Sequence, residues 1–138
     1  MSKKQTLKLS GLLFGLVLGA GFGNANGQPA APTETKGVTQ KLLATHDLGP
    51  EIEGMAGRQL RMRKVTIEPG GVFGVHNHKD RPGILYILEG TIIETRNGVA
   101  KEYGPGEVFS EGKDTTHWLE NKGSVPVVFV PVDIFKVP

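Results

Sequence analysis

From Leu60 onward the chain is a succession of short runs of β-branched, aromatic and other apolar residues, each closed by a turn residue. LRMRKVTI (60–67) ends at EPGG, and GVFGVH (71–76) follows; ILYILEG (84–90) and TIIETRNG (91–98) bracket a glycine; GEVFSEG (106–112), THWLEN (116–121) and VPVVFVPVDIF (125–135) complete the set. No apolar stripe of helical period runs beyond two turns. Turn signals recurring every 8–12 residues or so predict an antiparallel all-β sandwich or barrel. Asn97-Gly98 predicts a tight hairpin, because both residues tolerate the positive φ such a turn needs. Pro126 and Pro131 predict that the last run is an edge or bulged strand, since proline cannot donate to a ladder.

The beginning of the chain reads differently. Lys3, Lys4 and Lys8 precede an apolar run, Leu12 to Phe22, and small residues follow at Ala25 and Gly27. That order is the layout of a secretory signal peptide over 1–27, and the run falls short of the roughly 20 residues a membrane span needs. The expectation is cleavage near Gly27, export to the periplasm or beyond, and no stable membrane anchor afterwards. Residues 28–40, QPAAPTETKGVTQ, lack an apolar period and read as a flexible linker, leaving 41–138 as the folded domain. Three of the sixteen Lys and Arg leave with the leader and none of the fourteen acids do. Thirteen basic residues against fourteen acidic ones give the mature chain a formal charge of −1. No basic stripe points to nucleic acid. With no cysteine, an exported chain gains nothing from disulfides, and about 110 residues must be held by one ordinary core.

His76 and His78 are one residue apart, so on a strand both imidazoles share a face. His117, about forty residues on in another strand-like run, is placed to meet them across a sheet. Three imidazoles with open positions can hold a divalent metal, although an HxH pair alone is as well explained by hydrogen-bonded histidines. The glycines around them sharpen the reading. Five residues separate Gly70 from His76, Gly90 lies twelve positions after His78, ten residues separate Gly106 from His117, and three separate His117 from Asn121. This spacing closely resembles the two sequence motifs of the cupin superfamily, over roughly residues 61–134. The resemblance implies a single-domain jelly-roll β-barrel of the cupin type. It further implies a metal held by His76, His78 and His117, and a homodimer formed through the last strand and the 41–60 segment.

Two departures stand out. The position at which cupins carry a glutamate ligand is Gly83 here, and Gly112 and Asp114 replace the Pro and Gly of the second motif's turn. The expected site is therefore three histidines leaving a divalent ion its full +2 charge, a set that resembling dioxygenases use with iron. Imidazole suits iron, manganese, zinc, nickel and copper alike. Restoring the acid with Gly83→Glu is expected to raise metal affinity. Other residues carry weaker expectations. Asp80 is an unfavoured substitute ligand in a turn, and His46 is a loop residue with a remote claim to be a fourth ligand. Arg61 and Arg63 are read as a solvated strand end in preference to a lining for anionic substrate. Tyr86 and Trp118 are read as packing and Glu89 as a surface acid. The implied functions are a metal-dependent enzyme, resembling the cupin dioxygenases, on a small chelating molecule; a non-catalytic binder of a small molecule or sugar; or a metal-free barrel.

Overall fold

The computed structural model describes residues 30–138, so the expected signal peptide over 1–27 lies outside the described residues. No helix occurs among them. Eight strands follow one another: β1 Lys36–Asp47, β2 Arg58–Asn77, β3 Gly83–Glu89, β4 Ile92–Arg96, β5 Val99–Tyr103, β6 Val108–Glu111, β7 Thr116–Glu120 and β8 Val127–Lys136. All neighbours are antiparallel, in the order β5-β4-β7-β2-β8-β3-β6 with β1 laid against β2. The result is an all-β, nearly closed barrel. Its core is Val65, Ile67, Leu85, Ile87, Ile92, Tyr103, Phe109, Leu119, Val127 and Phe129. Alternation along each strand puts these side chains inside, so the core forms at every second residue of β2, β3 and β8.

Three features depart from the sequence pattern. The turn expected at EPGG is instead a bend inside one 20-residue strand, β2. Gly70 takes a φ of 73° there, and β2 passes from β8, which it pairs over Arg58 to Ile67, to β7, which it pairs over Val72 to Asn77. One strand thus serves two walls of the barrel. The last strand, β8, is no edge: it lies between β2 and β3. It accommodates Pro131 because its ladder with β2 is open there, with Met62 opposite Val132 and Val65 opposite Phe129 but no pairing between. The chain is also ordered earlier than its composition suggests, since β1 begins at Lys36, inside the stretch read as linker. Ahead of it Pro32 O accepts from Val75 N at 2.7 Å and Thr35 Oγ1 from Gly74 N at 3.0 Å. Gly74 permits this approach, because a Cβ there would meet Thr33 O at 2.7 Å.

Asn121 ties the bend to the far wall. Its Nδ2 donates to Ile67 O at 2.9 Å and Val125 O at 2.8 Å, its Oδ1 accepts from Gly123 N at 2.9 Å, and its main chain bonds to Gly70 and Gly71. Asn121→Ala would strand the buried Ile67 O and remove the bonds to the more exposed Val125 and Gly123, leaving the main-chain bonds in place. An unmatched buried polar group is worth about 1–3 kcal/mol, so chemical denaturation should show a loss of about 2 kcal/mol. A loss below about 0.5 kcal/mol, within the range of an ordinary surface change, would mean that the bend is held without it.

Candidate metal centre

The strand registers dictate where the histidines meet. Along β2 the core-facing residues Val65 and Ile67 have odd numbers, as does Phe73, which lies opposite Leu119. Strict alternation would therefore turn His76 and His78 outward. A bulge between Phe73 and His76 puts one extra residue on β2, and His76 then falls directly opposite the buried His117 of β7. Bulges shift side chains from one face to the other in this way. His78 follows just beyond β2, its N–H donating to Thr115 O at 3.0 Å.

The three rings converge, with centroids 4.7–5.0 Å apart. His117 Nε2 lies 3.1 Å from His78 Nε2 and 3.2 Å from His76 Nε2. Each ring is held from behind through Nδ1: His76 by Gly74 O at 2.9 Å, His78 by Arg81 O at 3.1 Å, and His117 by Glu94 Oε1 at 2.7 Å. A neutral imidazole that donates through Nδ1 presents a lone pair at Nε2. Three such lone pairs facing one another repel unless a metal ion or a proton lies between them. Donors bound at 2.0–2.1 Å to one ion stand about 2.9–3.4 Å apart, whether the geometry is octahedral or tetrahedral, and the observed separations fall in that range. The residues fit a metal.

The site has a fourth member that the sequence reading missed. The buried carboxylate of Glu111 approaches His117 Nε2 and His78 Nδ1, each at 3.3 Å, and the ligand atoms of His76, His78, Glu111 and His117 lie within 4.8 Å of one another. The acid absent from β3 is supplied by β6, where Glu111 is the direct cross-strand partner of Gly83. The expectation of a carboxylate-free site is thus corrected, and an ion here would carry a local charge of +1. The expected benefit of Gly83→Glu also disappears. A Cβ at Gly83 would meet Val132 O at 2.7 Å and Asp133 Cβ at 3.0 Å, so the backbone of β8 leaves that position to glycine. Glu94, also unforeseen, is the buried support of His117 and is itself held by Arg96 and by Tyr103 Oη at 3.3 Å.

The remaining candidates fall elsewhere. Asp80 is exposed and contributes only its carbonyl, to Arg58. His46 is exposed on β1 and pairs with Glu51 at 3.7 Å. Tyr86 and Glu89 are exposed, and the half-buried Trp118 donates to Glu120 at 3.2 Å. Arg61 and Arg63 are not a solvated strand end. Both clamp the buried Asp133, at 2.8 and 2.9 Å, and Arg61 also stacks on Phe135. Arg63 joins His76, His78, Glu111 and Arg81 around a cavity of about 20 Å³ whose apolar wall includes Phe73 and Phe129.

Residues 63–135 match the family model described as the cupin domain. Over 77 residues, 56% of this chain, the sequence is 31% identical to the mannose-1-phosphate guanylyltransferase of Salmonella typhimurium, of which the match covers 16%. The chain therefore spans under a fifth of that relative's length. Among solved structures, the polyketide cyclase RemF from Streptomyces resistomycificus aligns with a TM-score of 0.61 at 21% identity, covering 78% of this chain and 72% of that one. KdgF from Halomonas sp. aligns with a TM-score of 0.57 at 19% identity, covering 71% and 81%. At such identities the structural likeness speaks for the fold.

Without metal the three histidines titrate apart. Burial pushes His76 down to about 4 and also lowers His78. Burial acts on His117 in the same sense, but its bonds to Glu111 and Glu94 outweigh it and raise that ring. Burial likewise opposes ionisation of Glu94, and the bonds from His117 and Arg96 overcome it to hold the carboxyl low. Between pH 6.5 and about 4 the unfolded chain therefore holds a proton that folded His76 refuses, so acidification removes stability. The contribution of His117 is complete below its unfolded value and is lost as pH rises through its raised folded value. The metal-free protein should have its highest melting temperature near pH 6.5, with an acid flank that shrinks in His76→Gln. A flat profile from pH 4 to 8, or an acid flank unchanged by that substitution, would show that these rings are not buried as described.

Proposed function

The chain belongs to the cupin family, and from that premise we propose that it is an exported metal-dependent enzyme. It binds one divalent transition ion through His76, His78, His117 and Glu111 and acts on a small molecule that chelates through oxygen. One observation carries this reading. His76, His78, Glu111 and His117 each bring a ligand atom within 4.8 Å of the others, and every ring is also fastened through Nδ1. In a metal-free barrel a proton on His117, favoured by its bonds to Glu111 and Glu94, has to stand in for the ion.

A bound ion supplies Lewis acidity and, for iron or copper, a route to dioxygen. The chain's residues do the rest. His76, His78 and His117 are kept as neutral donors, and Glu111 offsets part of the positive charge. Phe73, Leu119 and Phe129 keep bulk water from the cavity, which at about 20 Å³ has room for roughly one water molecule. Only the reacting end of a ligand fits that space. Glu111 is the one carboxylate among the cavity's lining residues, so little protein acid–base chemistry is on offer and the ion carries the reaction.

The homodimer forms through an outer face to which the last strand, β8, contributes Val130 and Val132. Ile84, Tyr86, Leu88 and Val108 are 44–60% exposed, and with Met62, Val130 and Val132 they line one groove on the outer surface. This face holds no charge at its centre, so a second copy of the chain meets it without like-charge repulsion.

Protein purified without an affinity tag from the periplasmic fraction should start near Gln28, sediment as a dimer and contain about one metal ion per chain. His117→Ala should abolish metal content, and Glu94→Gln, which leaves the donors in place but frees the ring of His117, should weaken metal affinity by about 10–100-fold. Oxygen uptake or product formation with 2-oxo acids, β-diketones, thiols or catechols should stop on chelation and return with metal. Metal equally absent from wild type and His117→Ala would overturn the site. Saturable ligand binding with no turnover across the panel would make the protein a binding module.

A further inference from the structure

The charge on the cavity wall is unbalanced. Arg61 and Arg63 share one carboxylate, that of Asp133, and Glu111 is turned toward the imidazoles. Arg81 lines the same cavity, and among the described residues its guanidinium makes no ion pair. Its charge is felt at Arg63, His76 and His78. With a divalent ion in place, three guanidiniums and +2 stand against two carboxylates, a net of +3.

Arg63 is the most constrained of the three. Its Nη2 donates to Asp133 at 2.9 Å and its Nη1 to Gln40 at 2.6 Å, which fixes the plane of the guanidinium. Its Nε is buried with no hydrogen-bond partner, the only such side-chain atom among the described residues. Arg63 lies level with Pro131 on the opened stretch of the β2–β8 ladder, and both residues line the cavity. A buried guanidinium N–H left unmatched is unfavourable and calls for a physical reason, of which a bound group that completes the bonding is one. A planar fork beside an under-neutralised cation suits a carboxylate. The narrow cavity favours that flat group over a tetrahedral phosphate.

We infer that the ligand of this centre is a small 2-oxo or 2-hydroxy acid whose carboxylate is recognised by Arg63 and Arg81 while its oxygen donors face the ion. This rests on the metal-binding reading above and adds the substrate class to it. The arginines are then specificity determinants that act on the ligand and leave the ion's own donors alone.

The test uses the full exported chain loaded with cobalt(II), whose visible spectrum reports ligands reaching the ion. Metal content is measured on every sample. Pyruvate and 2,3-butanedione have the same shape and both chelate through adjacent oxygens, but only pyruvate carries charge. Wild-type protein should bind pyruvate at least tenfold more tightly, in keeping with a charge-assisted pair of bonds. Arg63→Gln and Arg81→Gln should each weaken pyruvate by about tenfold, leave butanedione within about twofold, and keep full metal content. Arg81→Gln leaves the clamp on Asp133 intact, so its result stands even where Arg63→Gln folds poorly. Equal affinity for the two ligands in wild type, or equal loss for both in Arg81→Gln, would overturn the inference while the metal site stands. Tighter binding of inorganic phosphate than of pyruvate would also overturn it. A wild-type protein that takes up no cobalt would overturn the metal reading and this inference together.

Discussion

In the interior of the barrel His117 Nε2 faces the Nε2 atoms of His78 and His76 at 3.1 and 3.2 Å, and most of the surrounding structure holds the three rings there. Left to themselves, rings with lone pairs so opposed would turn away. They cannot, because each is fastened through its other nitrogen: two to main-chain carbonyls two and three residues away, the third to the buried Glu94. Glu94 is in turn fixed by Arg96 and Tyr103, and Tyr103 packs on Phe109, which lies edge-on to His117. The hydrophobic core and the polar site are thus one construction. The rigidity of the first supplies the orientation of the second, as outer partners commonly do for metal ligands.

The carboxylate of the site shows how a sheet can conserve a position in space while changing its strand of origin. Glu111, Gly83, Asp133 and Arg61 are successive cross-strand partners on β6, β3, β8 and β2. Neighbouring strands stand about 4.8 Å apart, so moving an acid from position 83 to position 111 carries it one strand sideways along the same row. Gly83 then separates two carboxylates with different duties. Asp133 is neutralised by Arg61 and Arg63 and belongs to the wall. Glu111 is left to the imidazoles, and the surplus of guanidinium charge beside them is what makes an anionic ligand fitting.

Much of the fold was legible in the sequence because turn chemistry and alternation are local. Asn97 and Gly98 take φ angles of 51° and 75°, and the hairpin between β4 and β5 lies where that dipeptide put it. The Gly70–Gly90 and Gly106–Asn121 spacings located the barrel and brought His76, His78 and His117 together. What was missed is non-local. Glu111 and Glu94 become neighbours of the histidines only through pairings of β6 with β3 and of β4 with β7. A signal for both existed in parity: Glu94 alternates with the buried Ile92, and Glu111 with the buried Phe109, and an acid on a core-facing position needs a buried partner. The bulge at Gly74 had no such signal, since its reason is an arm of chain some forty residues earlier lying across it. The central place of β8 was concealed by Pro131, whose missing donor coincides with an interruption of the ladder that only the assembled sheet reveals.

The most direct test of this account is the anomalous-diffraction map of a crystal grown from metal-replete protein. The account predicts one strong peak per chain, at about 2.0–2.2 Å from the Nε2 atoms of His76, His78 and His117 and from one oxygen of Glu111. The Nδ1 atoms should remain bonded to Gly74, Arg81 and Glu94. No peak at this point, or a peak ligated by the histidines with Glu111 turned away from it, would contradict the relocated carboxylate on which the description of the site depends.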